Sequence, residues 1–234
     1  MLKIIKYHHK RKKNVFPMGM VAVNEFIFMR YLFFTSFFFI NIFFNPAMAT
    51  EEPEFKLILE EGEFQIREYE PKIIAQVEID GDFDEASSKG FKLLADYIFG
   101  NNILEGDSQK ISMTAPVEMS PLAENLLMTS SIMDDDINNK WSINFVMPKE
   151  YTLDTLPMPN NSEVKIIKVP SEKYVVILFS GLVRESSYAE KSELLSNYIK
   201  ANNFMAQGTI KIARYNPPWT LPFFRRNELM VKID

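Results

Sequence analysis

The chemistry open to this chain is limited first by what it lacks. It contains no cysteine, which removes thiolate nucleophiles, disulfides, iron–sulfur clusters and a lipoprotein anchor. Its histidines, His8 and His9, both precede a long apolar run. If that run is a targeting signal, the working protein holds no histidine, and His-based triads, His-ligated zinc and His-ligated heme are removed together. The paired acids Glu51-Glu52 and Glu60-Glu61 fall in a stretch expected to be a disordered mature N-terminus, so they predict no glycosidase pair. Asp134-Asp135-Asp136 lacks the spaced oxygen ligands of an EF-hand loop and reads as a solvated acidic turn. Arg225-Arg226-Asn227-Glu228 has the look of an anion clamp.

Charge is divided along the chain. Of 26 Lys/Arg and 31 Asp/Glu, residues 1–49 hold seven and one, so residues 50–234 hold 19 and 30 and carry a net charge of −11. An acidic body of this kind argues against nucleic acid and against anionic membrane surfaces, both of which call for a Lys/Arg surface. Within the first segment, Tyr31–Phe44 is an apolar core preceded by Arg30 and followed by Ala47-Met48-Ala49. That is the pattern of a secretory signal peptide with cleavage after Ala49. Met29-Arg30 would itself open a compact signal, and Met29 is the expected initiator. The alternative is an uncleaved anchor, since a span needs roughly 20 apolar residues. Either way the 50–234 domain is expected to be exported, to a periplasmic or extracellular location.

The elements that must position any site follow from periodicity. Phe64–Tyr69 alternates and Ile73–Ile79 is rich in β-branched residues, so both read as strands. Asp84–Phe99 carries Ala86, Phe91, Leu94, Ala95 and Ile98 at helical spacing, with Asp84 as N-cap and Gly100 as stop. Lys110–Met119 reads as a strand whose end Pro116 confines to an edge or bend, and Trp141–Met147 alternates again. Further strands are expected at Val164–Val169, Val175–Phe179, Gly208–Tyr215 and Asn227–Ile233, with a helix near Ser187–Asn202. Ser120–Lys140 reads as a long polar loop and Pro148–Ser162 as a crossover.

The two halves look alike. Tyr97-Ile98, Asn101-Asn102, Lys110-Ile111 and Pro116 recur as Tyr198-Ile199, Asn202-Asn203, Lys211-Ile212 and Pro217. The expected fold is therefore α+β: a distorted antiparallel β-barrel with two flanking α-helices, in a pseudo-two-fold repeat of ββαββ halves.

Eight segments, in order, resemble the SOUL heme-binding protein family. They include Ile66-Arg67-Glu68-Tyr69-Glu70-Pro71, Gly90-Phe91, Lys110-Ile111-Ser112-Met113-Thr114-Ala115-Pro116-Val117, Phe145-Val146-Met147-Pro148 and Arg225-Arg226-Asn227-Glu228. The resemblance implies a barrel flanked by two helices and a shallow apolar cleft beside the first helix for heme or another tetrapyrrole. Phe91, Ala95 and Phe99 would line the cleft and Lys92 would meet a propionate. Where some members have a histidine between the Arg and Tyr of the IRxY segment, this chain has Glu68, so binding without histidine ligation is implied. Met113 and Met119 could offer thioether sulfur to iron, and Tyr69 and Tyr97 phenolate, but core filling and core capping are the plainer roles. In this family Arg225-Arg226-Asn227-Glu228 is read as locking the last strand to its neighbours. Three functions stand in order: a tetrapyrrole binder, a module for another hydrophobic ligand or a protein partner, and a tetrapyrrole-modifying enzyme such as a metal dechelatase.

Overall fold

The computed structural model describes residues 50–122 and 140–234; the expected apolar signal and the triple Asp lie outside the described residues. The strands are β1 (Phe55–Glu61), β2 (Phe64–Tyr69), β3 (Lys72–Asp80), β4 (Asn102–Ile103), β5 (Val117–Pro121), β6 (Lys140–Val146), β7 (Met158–Pro159), β8 (Lys165–Val169), β9 (Glu172–Phe179), β10 (Ala206–Arg214) and β11 (Asn227–Ile233). Helix α1 (Phe83–Ile98) follows β3, and α2 (Glu185–Ala201) follows β9. Nine strands form one sheet in the order β1-β2-β9-β11-β10-β5-β6-β3-β8, and β4 pairs with β7 separately. Every pairing is antiparallel. The sheet curls into a half-barrel with two helices, as an α+β distorted barrel requires.

Period-two alternation divides the sheet into two unlike faces. Ala75 and Val77 of β3, Met119 of β5, Ile143 and Phe145 of β6, Ile177 of β9 and Leu229 of β11 join Leu94 and Tyr97 of α1 and Leu195 of α2 in the main core. Residues of the other phase, Arg67 of β2, Glu118 of β5, Asn144 of β6 and Glu228 of β11 among them, form the opposite face, and they too are buried.

Helix α1 is placed by a close approach. Gly90 packs against β6 so tightly that an added Cβ would stand 2.7 Å from Ile143 Cγ1, and Ile143 is wholly buried with no room to retreat. Gly90→Ala raises helix propensity by about 1 kcal/mol, yet overpacking costs about 1–3 kcal/mol. The expected result is a net loss, read as a lower urea midpoint with an unchanged slope.

Three expectations need correction. The α1 N-cap is Asp82, two residues before Asp84: its side chain accepts from Glu85 N at 2.8 Å, because Gly81, at φ 138°, turns the chain immediately before it. Lys110–Met119 is not one strand. The strand begins at Val117, and the chain before it is held by single contacts, Ile111 N to Ile98 O and Ala115 N to Glu51 O, both 2.8 Å. Pro116, with no N–H to donate, stands at this boundary. Finally, residues 51–61 are ordered rather than free. Phe55–Glu61 is edge strand β1 paired with β2, and Phe55 lies 5.3 Å from the Tyr69 ring with the Arg67 guanidinium 4.3 Å over it.

Candidate functional site

The residues implied as a cleft share one ridge of α1, since Phe91, Ala95 and Phe99 are spaced four apart. Phe91 is partly open, 39% exposed, and meets Phe145 of β6 edge to face at 5.4 Å. Ala95 is half-buried and Lys92 exposed, with no ion pair among the described residues. Phe99 caps the helix and is 62% exposed. Beyond it, Ile103 and Met158 face each other across β4 and β7, also exposed. Sequence reading missed this pair, because a two-residue strand inside a crossover has no periodic signal.

The loop between β10 and β11 adds a second apolar surface. Trp219 is 83% exposed, and Leu221, Phe223 and Phe224 are each more than half exposed. Arg225 stiffens this loop by donating to Thr220 O at 2.8 Å and to Pro218 O. At its base Arg214, the last residue of β10, reaches α1: its guanidinium donates to Ser87 Oγ and lies 5.7 Å over the Phe83 ring.

Other candidates are not brought to α1. Glu68 stands on β2 between Lys56 of β1 and Lys173 of β9, whereas α1 packs on β3 and β6. Met119 is buried in the core and Met113 is exposed. The Tyr97 hydroxyl donates to Pro157 O at 2.7 Å, and that of Tyr69 receives Arg67 Nη1 at 2.9 Å. Burial pushes both phenols up, Tyr69 to about 12, so neither offers a phenolate near neutral pH.

The buried charges opposite the helices form closed networks. Glu228 takes Arg67 in a bidentate pair, at 2.8 and 3.2 Å, and the Tyr215 hydroxyl at 2.8 Å. Glu118 takes Lys72 at 2.6 Å and Lys211 at 2.9 Å. Burial would raise the Glu118 carboxyl, but Lys211 and Lys72 outweigh it and hold it at about 2. Asn227 donates to Gly181 O at 3.0 Å, and Arg226 lies 3.5 Å over the Tyr215 ring and bonds Glu52. The Arg226-Asn227-Glu228 run is thus a lock on the last strand rather than an open clamp.

A cavity of about 500 Å³ opens elsewhere, between residues 51–54, the β2–β3 turn and residues 146–154. None of Phe91, Lys92, Ala95 and Phe99 lines it. Its wall carries five carboxylates (Glu51, Glu52, Glu54, Glu70, Asp154) against three lysines, of which Lys72 is held by Glu118 and Lys149 by Glu54. Its volume suits a small molecule, but its charge opposes a ligand bearing carboxylates. The shallow α1 surface is therefore the better candidate for an acidic, planar ligand.

A curled antiparallel sheet with two helices defines an α+β half-barrel class shared with proteins of distant sequence. The chain resembles the crystal structure of the EcmrR C-terminal domain with a TM-score of 0.52 at 11% identity, covering 73% of this chain and 96% of that one. It resembles EcmrR in its cryo-EM DNA complex with a TM-score of 0.54 at 10% identity, covering 92% and 69%. These likenesses show the fold alone. A search of curated proteins returned no match. The profile of the SOUL heme-binding protein family matches residues 50–232, so the chain belongs to that family.

Proposed function

We propose that this protein is an exported tetrapyrrole binder that holds its ligand non-covalently on the ridge Phe91, Ala95 and Phe99 of α1, with Lys92 at a propionate and no histidine ligand. The observation that carries the reading is an apolar helix ridge left open in a member of a heme-binding family. Isolated exposed apolar residues are ordinary, but a contiguous patch marks a binding surface. The 101-residue offset between the halves supports a single cleft. The counterparts of Phe91, Lys92, Ala95 and Phe99 on α2 are Ser192, which is buried, and Glu193, Ser196 and Lys200, which offer a porphyrin face nothing apolar.

Hemin titration of the purified protein, followed by absorbance and tryptophan fluorescence, tests this. Saturable one-to-one binding is expected, with Phe99→Asp weakening it about tenfold, since burying a charge against the ring costs more than 1 kcal/mol. Trp219, exposed on the β10–β11 loop, should carry more of the quenching than buried Trp141. A linear, unsaturable response would remove the tetrapyrrole reading and leave a module for another hydrophobic ligand.

A further inference from the structure

Two guanidiniums near the α1 surface have no carboxylate partner. Arg214 and Arg225 form no ion pair among the described residues, although the same body pairs Arg67, Arg226 and eight lysines with acids. Arg214 is half-buried and its polar contact is the neutral Ser87 hydroxyl. Asp84 stands close enough to favour its charge but beyond ion-pair distance, while burial and Arg225 oppose that charge. Partly buried charge is normally paired, so an arginine left this way in a domain of −11 marks a place for an incoming anion.

The sheet register gives its distance from the apolar ridge. Arg214 pairs with Val117 of β5, and Val117 pairs with Phe145 of β6, the residue that Phe91 packs against. These three residues form one row across adjacent strands, so Arg214 lies about 10 Å from Phe145, two strand spacings away. Along α1, Ser87 precedes Phe91 by about 6 Å and Phe99 by about 18 Å. A flat ring lying on Phe91, Ala95 and Phe99 would thus direct acidic side chains on its near edge toward Arg214.

Resting on the tetrapyrrole reading, we infer that Arg214, with Arg225 behind it, anchors a carboxylate of the ligand and makes the site selective for porphyrins with free acid groups. Arg214 is a specificity residue: it touches the acid group and leaves the ring's own contacts unchanged. Its planar fork suits a carboxylate better than the point charge of Lys92.

The test compares hemin with its dimethyl ester, identical in ring and metal but without the two acids, on the wild-type protein and on Arg214→Gln. Wild type is expected to bind hemin about tenfold more tightly than the ester, as one charge-assisted hydrogen bond supports. Arg214→Gln, which keeps a donor for Ser87, should narrow that preference severalfold by losing hemin affinity alone, the remainder resting on Arg225 and Lys92. Arg225→Gln, in an exposed loop, should reduce the preference in part even if the Arg214 variant folds poorly. Equal binding of acid and ester by wild type, or an undiminished preference in a folded Arg214→Gln, would overturn the inference while leaving tetrapyrrole binding intact. Saturable binding of neither porphyrin would overturn both.

Discussion

Replacing Glu228 by glutamine should destabilise the protein by about 3–5 kcal/mol, because it leaves the Arg67 guanidinium buried without its counter-charge. Both side chains are almost completely buried and meet in a two-point pair, and the Tyr215 hydroxyl would lose its strongest acceptor. The penalty belongs to the stranded charge, not to the pair. Arg67→Met with Glu228→Leu should therefore recover most of the stability that Glu228→Gln loses. Urea unfolding of both variants measures it. A single variant within about 1 kcal/mol of wild type would show that water reaches this network.

Glu118→Gln should cost a similar amount and also change the acid response. Two lysines, Lys72 and Lys211, point at this one buried carboxylate, and the substitution leaves both without it. The sign follows from the direction of the shift. The carboxyl is held at about 2, below its ordinary 4.5, so its stabilising contribution is full above about 4.5 and is lost as pH falls toward 2. The gap between wild type and Glu118→Gln should therefore be widest near neutral pH and shrink between pH 4.5 and 2. Unfolding midpoints across that range check it. A gap independent of pH would mean that the carboxylate does not titrate with folding.

How much of this was legible in the chain depends on whether a residue's role is local. Helix α1 was readable because its stripe repeats every three to four residues and ends at Gly100; only its cap was misplaced, by a turn set at Gly81. Strand β1 was missed because it is an edge strand with every residue exposed, so no alternation records its pairing. The segments holding Arg67 and Glu228 both drew attention as motifs, yet nothing local says that residues 161 positions apart form one bidentate pair. Phe99 stood out because it lies off the buried stripe, and it is among the more exposed aromatics. Arg214 carried no signal, since an arginine at a strand end looks solvated until the register sets it across from α1.

The central claim, that a tetrapyrrole lies along α1, is tested most directly by hydrogen exchange of the backbone amides with and without saturating hemin. The account predicts slowed exchange in residues 91–103 and in the loop 216–226, with residues 51–54 and 147–154 around the acidic cavity unchanged. Protection confined to the cavity walls, or none in α1 at saturation, would contradict it.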